Sequence, residues 1–470
     1  MGKGLKLGGG DVEVLWRRGV EGMEVLSLDE LTTVPQLRRA HQVLTFLLHF
    51  YVHTQPISPT PRSTPLAIPS SISIPLRLTS NLLGLPPILT YADTVLYNSH
   101  PTSLTTPPNP LSNPYTSTLE SFTNTPDEAH FYLTSTRCEH TGVALLTLMR
   151  HSLDEAFMAD PLALTRLTGY LEELAKGVDE LGDEILRVMQ GCRPDVFYHV
   201  VRPWFKGGDG DGPGSAGWDF LGLSGEGQVP EDVRMDGEGD DEDEGDEATR
   251  SKVMKWSGPS AGQSTLIHAL DVFLNVEHAP VVDQPRAPVT TTTTTTPITP
   301  TTPSPPTSKP TAETTFMTRM LAYMPAPHRA FLTHLSLHPH PVRSLVLKHR
   351  QSRPELVLAY DHALEALKRL REKHMRVASL YIIQQARKGV TDELVGLGAA
   401  RPGAPLINTT TTGSTSSSSK KLDLSDFIPE VDVLEVDENK IRGTGGTALI
   451  KFLKMCRDNT TRTRIGSGGE

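Results

Sequence analysis

Cysteine is scarce: Cys138, Cys192 and Cys456 are the only three in 470 residues. They are too scattered for a CxxC metal pair and too few for a disulfide framework, which points to a reducing, intracellular compartment. Long apolar runs are also missing. No stretch reaches the roughly 18 uninterrupted apolar residues that a membrane-spanning helix needs, and the N-terminus has no signal-peptide core, so a cytoplasmic protein without a membrane partner is expected. Met1-Gly2 opens the chain, but Lys6 stands where an N-myristoylation motif wants Ser or Thr. Positive charge is not in excess either. A net charge of -10 with 37% hydrophobic residues fits a soluble, mildly acidic protein and argues against general affinity for nucleic acid.

Three stretches are too polar or too flexible to offset the entropy of ordering them and read as insertions or linkers. Residues 207–255 carry Gly-rich turns and the acidic run 237–244, which reads as a solvated loop; 284–310 is a Thr/Pro tract and 400–421 is Thr/Ser-rich. Between them the apolar spacing is helical. Over 36–53, Leu37, Ala40, Val43, Leu44, Leu47 and Phe50 recur three and four apart, and Pro56 stops the run. The stretches 143–158 and 162–189 read the same way, with Pro161 suited to a first helical turn. Strand alternation is scarce. The expected fold is all-α, with a small N-terminal helical domain over 1–122 and a large C-terminal helical bundle over 123–470.

Within 354–386 the apolar stripe runs Leu356, Tyr360, Ala363, Leu367, Leu370, then His374, Val377 and Tyr381. A histidine thus occupies a position that the 3.6-residue period reserves for an apolar side chain. One reading is a core histidine satisfied by a single hydrogen bond. The other is an inward imidazole on a rigid helix, which is what a proximal haem ligand requires. Spacing does not choose between them. The run 197–204 sets Phe197, Tyr198 and Trp204 beside Arg202, either as a helix end with an exposed arginine or as an apolar pocket whose guanidinium fork grips a carboxylate. Residues 258–264 form a small-residue turn before a helical run, an ordinary helix start or a place where backbone approaches a flat ligand. The turn Gly443-Thr444-Gly445-Gly446-Thr447 lacks the lysine of a phosphate-binding loop and suits a hinge that closes over a ligand. His334, His338 and His340 flank prolines with no cysteine or carboxylate to complete a zinc set.

Taken in order, several stretches resemble the indoleamine 2,3-dioxygenase family, from about Val25 nearly to the C-terminus apart from the three insertions. They are 85–93 (LPPILTYAD), 131–135 (FYLTS), the Arg202 segment, 260–264 (SAGQS), 323–329 (YMPAPHR), the His374 helix and 443–447 (GTGGT). Each is weak alone; their order is specific. The resemblance implies haem b between a small and a large helical domain, with His374 as the proximal iron ligand. It implies that Arg202 and Phe197 position the substrate, that Phe131 and Ser135 lie over the distal haem face, and that Tyr91 and Thr94 form the small-domain wall. Ser260 and Ala261 fall in the haem-facing turn, Arg371 falls near a haem propionate with Asp271 as its partner, and Thr444 lies on a loop closing over substrate.

The chemistry implied is insertion of both atoms of O2 across the indole C2–C3 bond of L-tryptophan or a related indoleamine. The product would be N-formylkynurenine, at the entry to the kynurenine pathway and NAD synthesis, with ferrous haem maintained by an electron donor. No side chain is expected to act as acid or base, since an apolar distal pocket disfavours proton-driven O–O cleavage. The protein is expected to be a monomer. Departures from the family pattern are a short N-terminal segment, Pro259 in place of a common glycine, which removes an amide donor, and Lys373 beside the ligand histidine. The rival readings are a haem-binding or signalling protein of the same fold with little turnover, and a helical scaffold without haem.

Overall fold

The computed structural model describes residues 9–56, 62–100, 117–209, 215–222, 253–278, 315–399 and 449–466. The acidic run, both threonine-rich tracts and the Thr444 turn lie outside them. Helices dominate. The N-terminal part holds α1 (Gly9–Glu21), α2 (Val34–His53) and α3 (Ser70–Leu83), with the short strands β1 (Leu66–Ile68), β2 (Ser99–His100) and β3 (Ser117–Thr118). Thr33 starts α2 with a reciprocal cap: its hydroxyl accepts from the Gln36 amide, and Gln36 accepts from the Thr33 N–H at 3.0 Å. Gly84 ends α3 in the left-handed region at φ +61, where a side chain would also run into Ala326.

One expectation is corrected here. The stretch 207–255 is not all solvated loop, because Trp218–Phe220 forms strand β4 and Val253–Met254 forms β5. In β4, Trp218 lies opposite Leu66 and Phe220 opposite Ile68 in parallel register, while β5 pairs antiparallel on the other side. Both aromatics are buried with Leu44, Leu48, Tyr51, Ile72 and Leu76 of the N-terminal helices. Averaging composition over a Gly- and Asp-rich stretch hid two large apolar side chains whose burial outweighs the ordering of three residues.

The larger part is built on α4 (Pro126–Met158) and α5 (Pro161–Leu186), a helical hairpin. Ala159 closes α4 at φ +52, and Asp160 caps α5 by accepting from the amides of Leu162 and Ala163 at 2.9 and 2.7 Å. Then come α6 (Pro194–Val196), α7 (Thr265–Phe273), α8 (Phe316–Leu321), α9 (Ala326–Ser336), α10 (Val342–Lys348), α11 (Pro354–Ala378), α12 (Asp392–Gly396) and α13 (Leu449–Arg462). Leu167, Leu171, Leu174 and Val178 of α5 meet Leu356, Ala363, Leu364 and Leu367 of α11 in the main core. At a rough 1.5–3 kcal/mol for each fully buried Leu or Val, this seam is the largest local source of stability.

Three π-helical turns interrupt the regular helices: Ala92–Leu96, Phe197–Val201 and Ser379–Ile383. Each adds a residue to its turn and so re-aims the side chains around it. All three fall in segments that the sequence nominates for the site.

A fully buried histidine on α2 sets a pH dependence. His49 Nδ1 donates to the Trp204 carbonyl at 2.7 Å, and burial, reinforced by His53, lowers its pKa from 6.5 to about 3. A folded pKa below the unfolded one gives stability that is fully present above about pH 6.5 and lost as pH falls towards 3. Urea midpoints at pH 7 and pH 5 should differ less for His49→Gln than for the unaltered protein; the same difference in both would remove His49 from the account.

Candidate functional site

His374 sits in the penultimate turn of α11, four residues beyond Leu370. Its imidazole is half-buried and makes no hydrogen bond to any described residue, and burial lowers its pKa. The core-histidine reading requires a partner, and among the described residues there is none. Burial thus favours the neutral imidazole. The neighbouring Lys373 points to the Asp179 carbonyl at 3.4 Å and the Asp183 carboxylate on α5.

Val377, one turn beyond His374, packs into an aromatic cluster with Phe197, Phe205 and Tyr381. Phe131 of α4 joins it, its ring 4.5 Å from Phe197 and 6.1 Å from Phe205, while Phe197 lies 5.8 Å from Tyr381. Ser135, one turn on from Phe131, is half-buried and donates back to the Phe131 carbonyl at 3.4 Å. Arg202 follows the second π turn with its guanidinium 5.3 Å from the Tyr198 ring, and burial lowers its pKa. A cation held in a poorly hydrated place gains more from a carboxylate partner than one in water does.

Tyr91 immediately precedes the buried first π turn and Thr94 lies within it, donating to the Thr90 carbonyl at 3.1 Å. Beneath them Asp93 accepts from Thr90 and lies 2.8 Å from His41 Nδ1, while His41 Nε2 reaches the Pro86 carbonyl at 3.2 Å. The small-residue turn opposes this wall. Ser260 is half-buried and caps the short 3-10 turn that follows by accepting from the Gly262 amide at 3.3 Å, and Ala261 is exposed. Arg329 fastens the 323–329 segment to the end of α3 through the carbonyls of Gly84 and Met324, at 2.7 and 2.6 Å. Arg371 is buried one turn before His374. It forms an ion pair with Asp271 of α7 and also donates to Thr460 and to the Cys456 carbonyl of α13, the last at 3.0 Å.

Two residues that the sequence reading passed over connect these pieces. Glu139, two turns beyond Phe131 on the same face of α4, accepts from the Tyr91 hydroxyl at 2.9 Å and from Ser264 at 2.6 Å. Burial raises its pKa, with the two hydroxyls partly offsetting the effect. Gln263 accepts from the Tyr91 amide at 2.8 Å and donates to the Gly258 carbonyl at 2.9 Å. The spacing of 131, 135 and 139 along one helix face was the available signal for Glu139.

A family model described as Indoleamine 2,3-dioxygenase matches residues 12–463. The chain belongs to this oxidoreductase family. Indoleamine 2,3-dioxygenase of Saccharomyces cerevisiae is 30% identical over 455 residues, covering 95% of this chain and 83% of that protein. Indoleamine 2,3-dioxygenase 2 of Homo sapiens is 27% identical, over 96% of this chain and 85% of its own length. A Fusarium equiseti relative, 24% identical over 93% of this chain and 83% of its length, is named a 6-hydroxytryptophan 2,3-dioxygenase. Names within the family therefore differ in the indole substrate.

The Arg371–Asp271 pair between α11 and α7 is buried, with side chains 8% and 5% exposed. Burial alone would raise the Asp271 carboxyl, but Arg371 and His278 outweigh it and hold its pKa below the ordinary value. Removing one partner of such a pair costs about 3–5 kcal/mol, whereas an exposed pair contributes about 0–1. Asp271→Ala should shift urea unfolding by the larger amount and Glu393→Ala, whose carboxylate meets Arg193 at the surface, by the smaller. Equal shifts would show that the buried pair is not a structural anchor.

Proposed function

We propose that the chain is a haem-dependent dioxygenase that opens the indole C2–C3 bond of L-tryptophan with O2 to give N-formylkynurenine. The observation that carries this is the His374 imidazole: half-buried, kept neutral by burial and without a hydrogen bond to any described residue. That is the state an axial ligand needs, and the aromatic face beside it suits a flat apolar macrocycle, so the residues present fit haem b. When bound in its ferrous form, haem supplies the dioxygen chemistry, with an electron donor from outside the chain.

The chain's own residues do the positioning. Phe131, Phe197, Phe205 and Tyr381 form an apolar surface that excludes water and offers ring contacts to an indole. Arg202 would take the substrate carboxylate in a two-pronged contact, with Tyr198 steadying the guanidinium. Ser135 is turned onto its own helix and Glu139 is occupied by Tyr91 and Ser264, so neither is arranged as a general acid or base. In this reading Tyr91 and Thr94 wall the pocket from the N-terminal side, Ser260 and Ala261 flank the cofactor and Arg371 lies towards a propionate, while Thr444, expected at the substrate, lies outside the described residues. The division near residue 122 then separates the wall from the ligand-bearing bundle. With this reading goes the further proposal of a kynurenine-pathway enzyme acting as a cytoplasmic monomer. Among the described residues no helix is long and apolar enough to cross a membrane.

Haem-loaded protein, reduced without oxygen and then given tryptophan and O2, should form N-formylkynurenine. His374→Ala should lose the Soret band. Arg202→Ala should keep it while kcat/KM falls roughly tenfold or more, the scale of a charge-assisted contact that orients the reactants. Haem binding without product would establish a haem-binding protein of the same fold instead, and no Soret band in the unaltered chain would leave a scaffold.

A further inference from the structure

At Glu139 three separately encoded pieces of the site meet. It lies on α4, its partner Tyr91 opens the first π turn, and its partner Ser264 ends the small-residue turn before α7. Both hydroxyls donate to the same carboxylate oxygen, Oε1, at 2.9 and 2.6 Å. Ser264 and Tyr91 are themselves buried, at 3% and 8% exposure, so neither hydroxyl can turn to bulk water when the acceptor is removed. The approach of α7 that makes the contact possible depends on Gly142, one turn further along α4. A Cβ there would fall 2.1 Å from Leu266 Cδ2. Gln263 adds a strut beside the first by accepting from the Tyr91 amide at 2.8 Å.

We propose that Glu139 is a positioning residue for the dioxygenase site, a latch whose one oxygen fixes the Tyr91 wall against the turn that carries Ser260 and Ala261. This rests on the reading of those residues as pocket wall and cofactor turn. The latch sets the width between the wall and α4, and therefore how closely the indole is held, without touching the reacting atoms. It works through acceptor geometry. Glu139→Gln retains a carbonyl oxygen for both hydroxyls, whereas Glu139→Ala removes the α4 acceptor from both.

The test compares Glu139→Gln, Glu139→Ala, Tyr91→Phe and the double variant Tyr91→Phe/Glu139→Ala in the haem-loaded full chain. Turnover is normalised to bound haem, tryptophan binding is read from the Soret shift, and stability from urea midpoints. Glu139→Ala should raise KM and weaken the Soret-detected affinity roughly tenfold, with kcat per haem changing less, because positioning is lost and chemistry is not. Glu139→Gln should stay within about twofold of the unaltered chain. The double variant should be no worse than Glu139→Ala, since both single changes break one contact.

A Glu139→Ala protein that is less stable but keeps its affinity would overturn the proposal, as would additive effects in the double variant or a glutamine variant as impaired as the alanine one. The urea cycle and the affinity measurement do not need turnover. Should the unaltered chain bind haem and tryptophan yet form no product, the dioxygenase reading fails while the latch is still decided. Should Glu139→Ala not fold, Ser264→Ala and Tyr91→Phe each remove one arm, and unchanged affinity in both would overturn it equally.

Discussion

The site depends on the way α11 lies along α5. Three polar pairs cross that seam: Glu172 with His362 at 2.9 Å, Asp179 with Arg369 at 2.6 Å, and Asp183 with Lys373. Each joins residues 190 apart in sequence. A constant offset means that the helices run parallel and in fixed register, and the steps of seven and four residues keep the pairs on one face. The pairs are partly exposed and contribute little energy each. Their role is register, while the leucines beside them supply the burial. At Gly182 of α5 a Cβ would meet the Lys373 side chain of α11 at 3.0 Å and the Leu370 backbone at an ordinary 3.5 Å. This register fixes where along the bundle the His374 turn of α11 falls.

The rest of the candidate site is shaped by departures from regular helix. The π turns at Ala92–Leu96, Phe197–Val201 and Ser379–Ile383 supply Thr94, Phe197 and Tyr381, with Tyr91 and Arg202 immediately outside them. Regular α-helix would place these side chains along narrow stripes; the added residue per turn swings them towards a common space. A regular bundle thus carries His374, and the π turns carry or adjoin Tyr91, Thr94, Phe197, Arg202 and Tyr381. These segments are not loose. The first is fixed by Asp93, which accepts from both the amide and the hydroxyl of Thr90, and the third by Tyr381, whose hydroxyl donates to the Cys192 carbonyl.

Much of this is legible in the sequence because periodicity reports burial directly. The stripe from Leu356 to Leu370 becomes the face of α11 in the main core, and the histidine that breaks it is the side chain left without a described partner. The pairing of Arg371 with Asp271 follows from family likeness rather than from spacing. What periodicity cannot report is contact between elements distant in sequence. Trp218 and Phe220 sit in polar surroundings, and only the register of β4 against β1 brings them into the core. Glu139 reads as an ordinary polar position on α4 until Tyr91 and Ser264, 48 residues before and 125 after it, arrive from either side. The π turns carry no local signature, because the inserted residue is tolerated by packing rather than demanded by composition.

The electrostatics follow the same division. Arg371 brings a permanent positive charge within one helical turn of His374, which alone would disfavour further positive charge at the ligand. Asp271 cancels it at contact distance, in a place where few water dipoles could do so. Thr460 and the Cys456 carbonyl take remaining donors, and His278 takes the other Asp271 oxygen at 2.9 Å. The pair is thereby closed on itself, and burial is the cause that sets the state of His374. A neutral imidazole beside a neutralised arginine can donate its lone pair without opposing a local field. The buried pair thus joins α7, α11 and α13 and leaves little net charge beside the His374 turn.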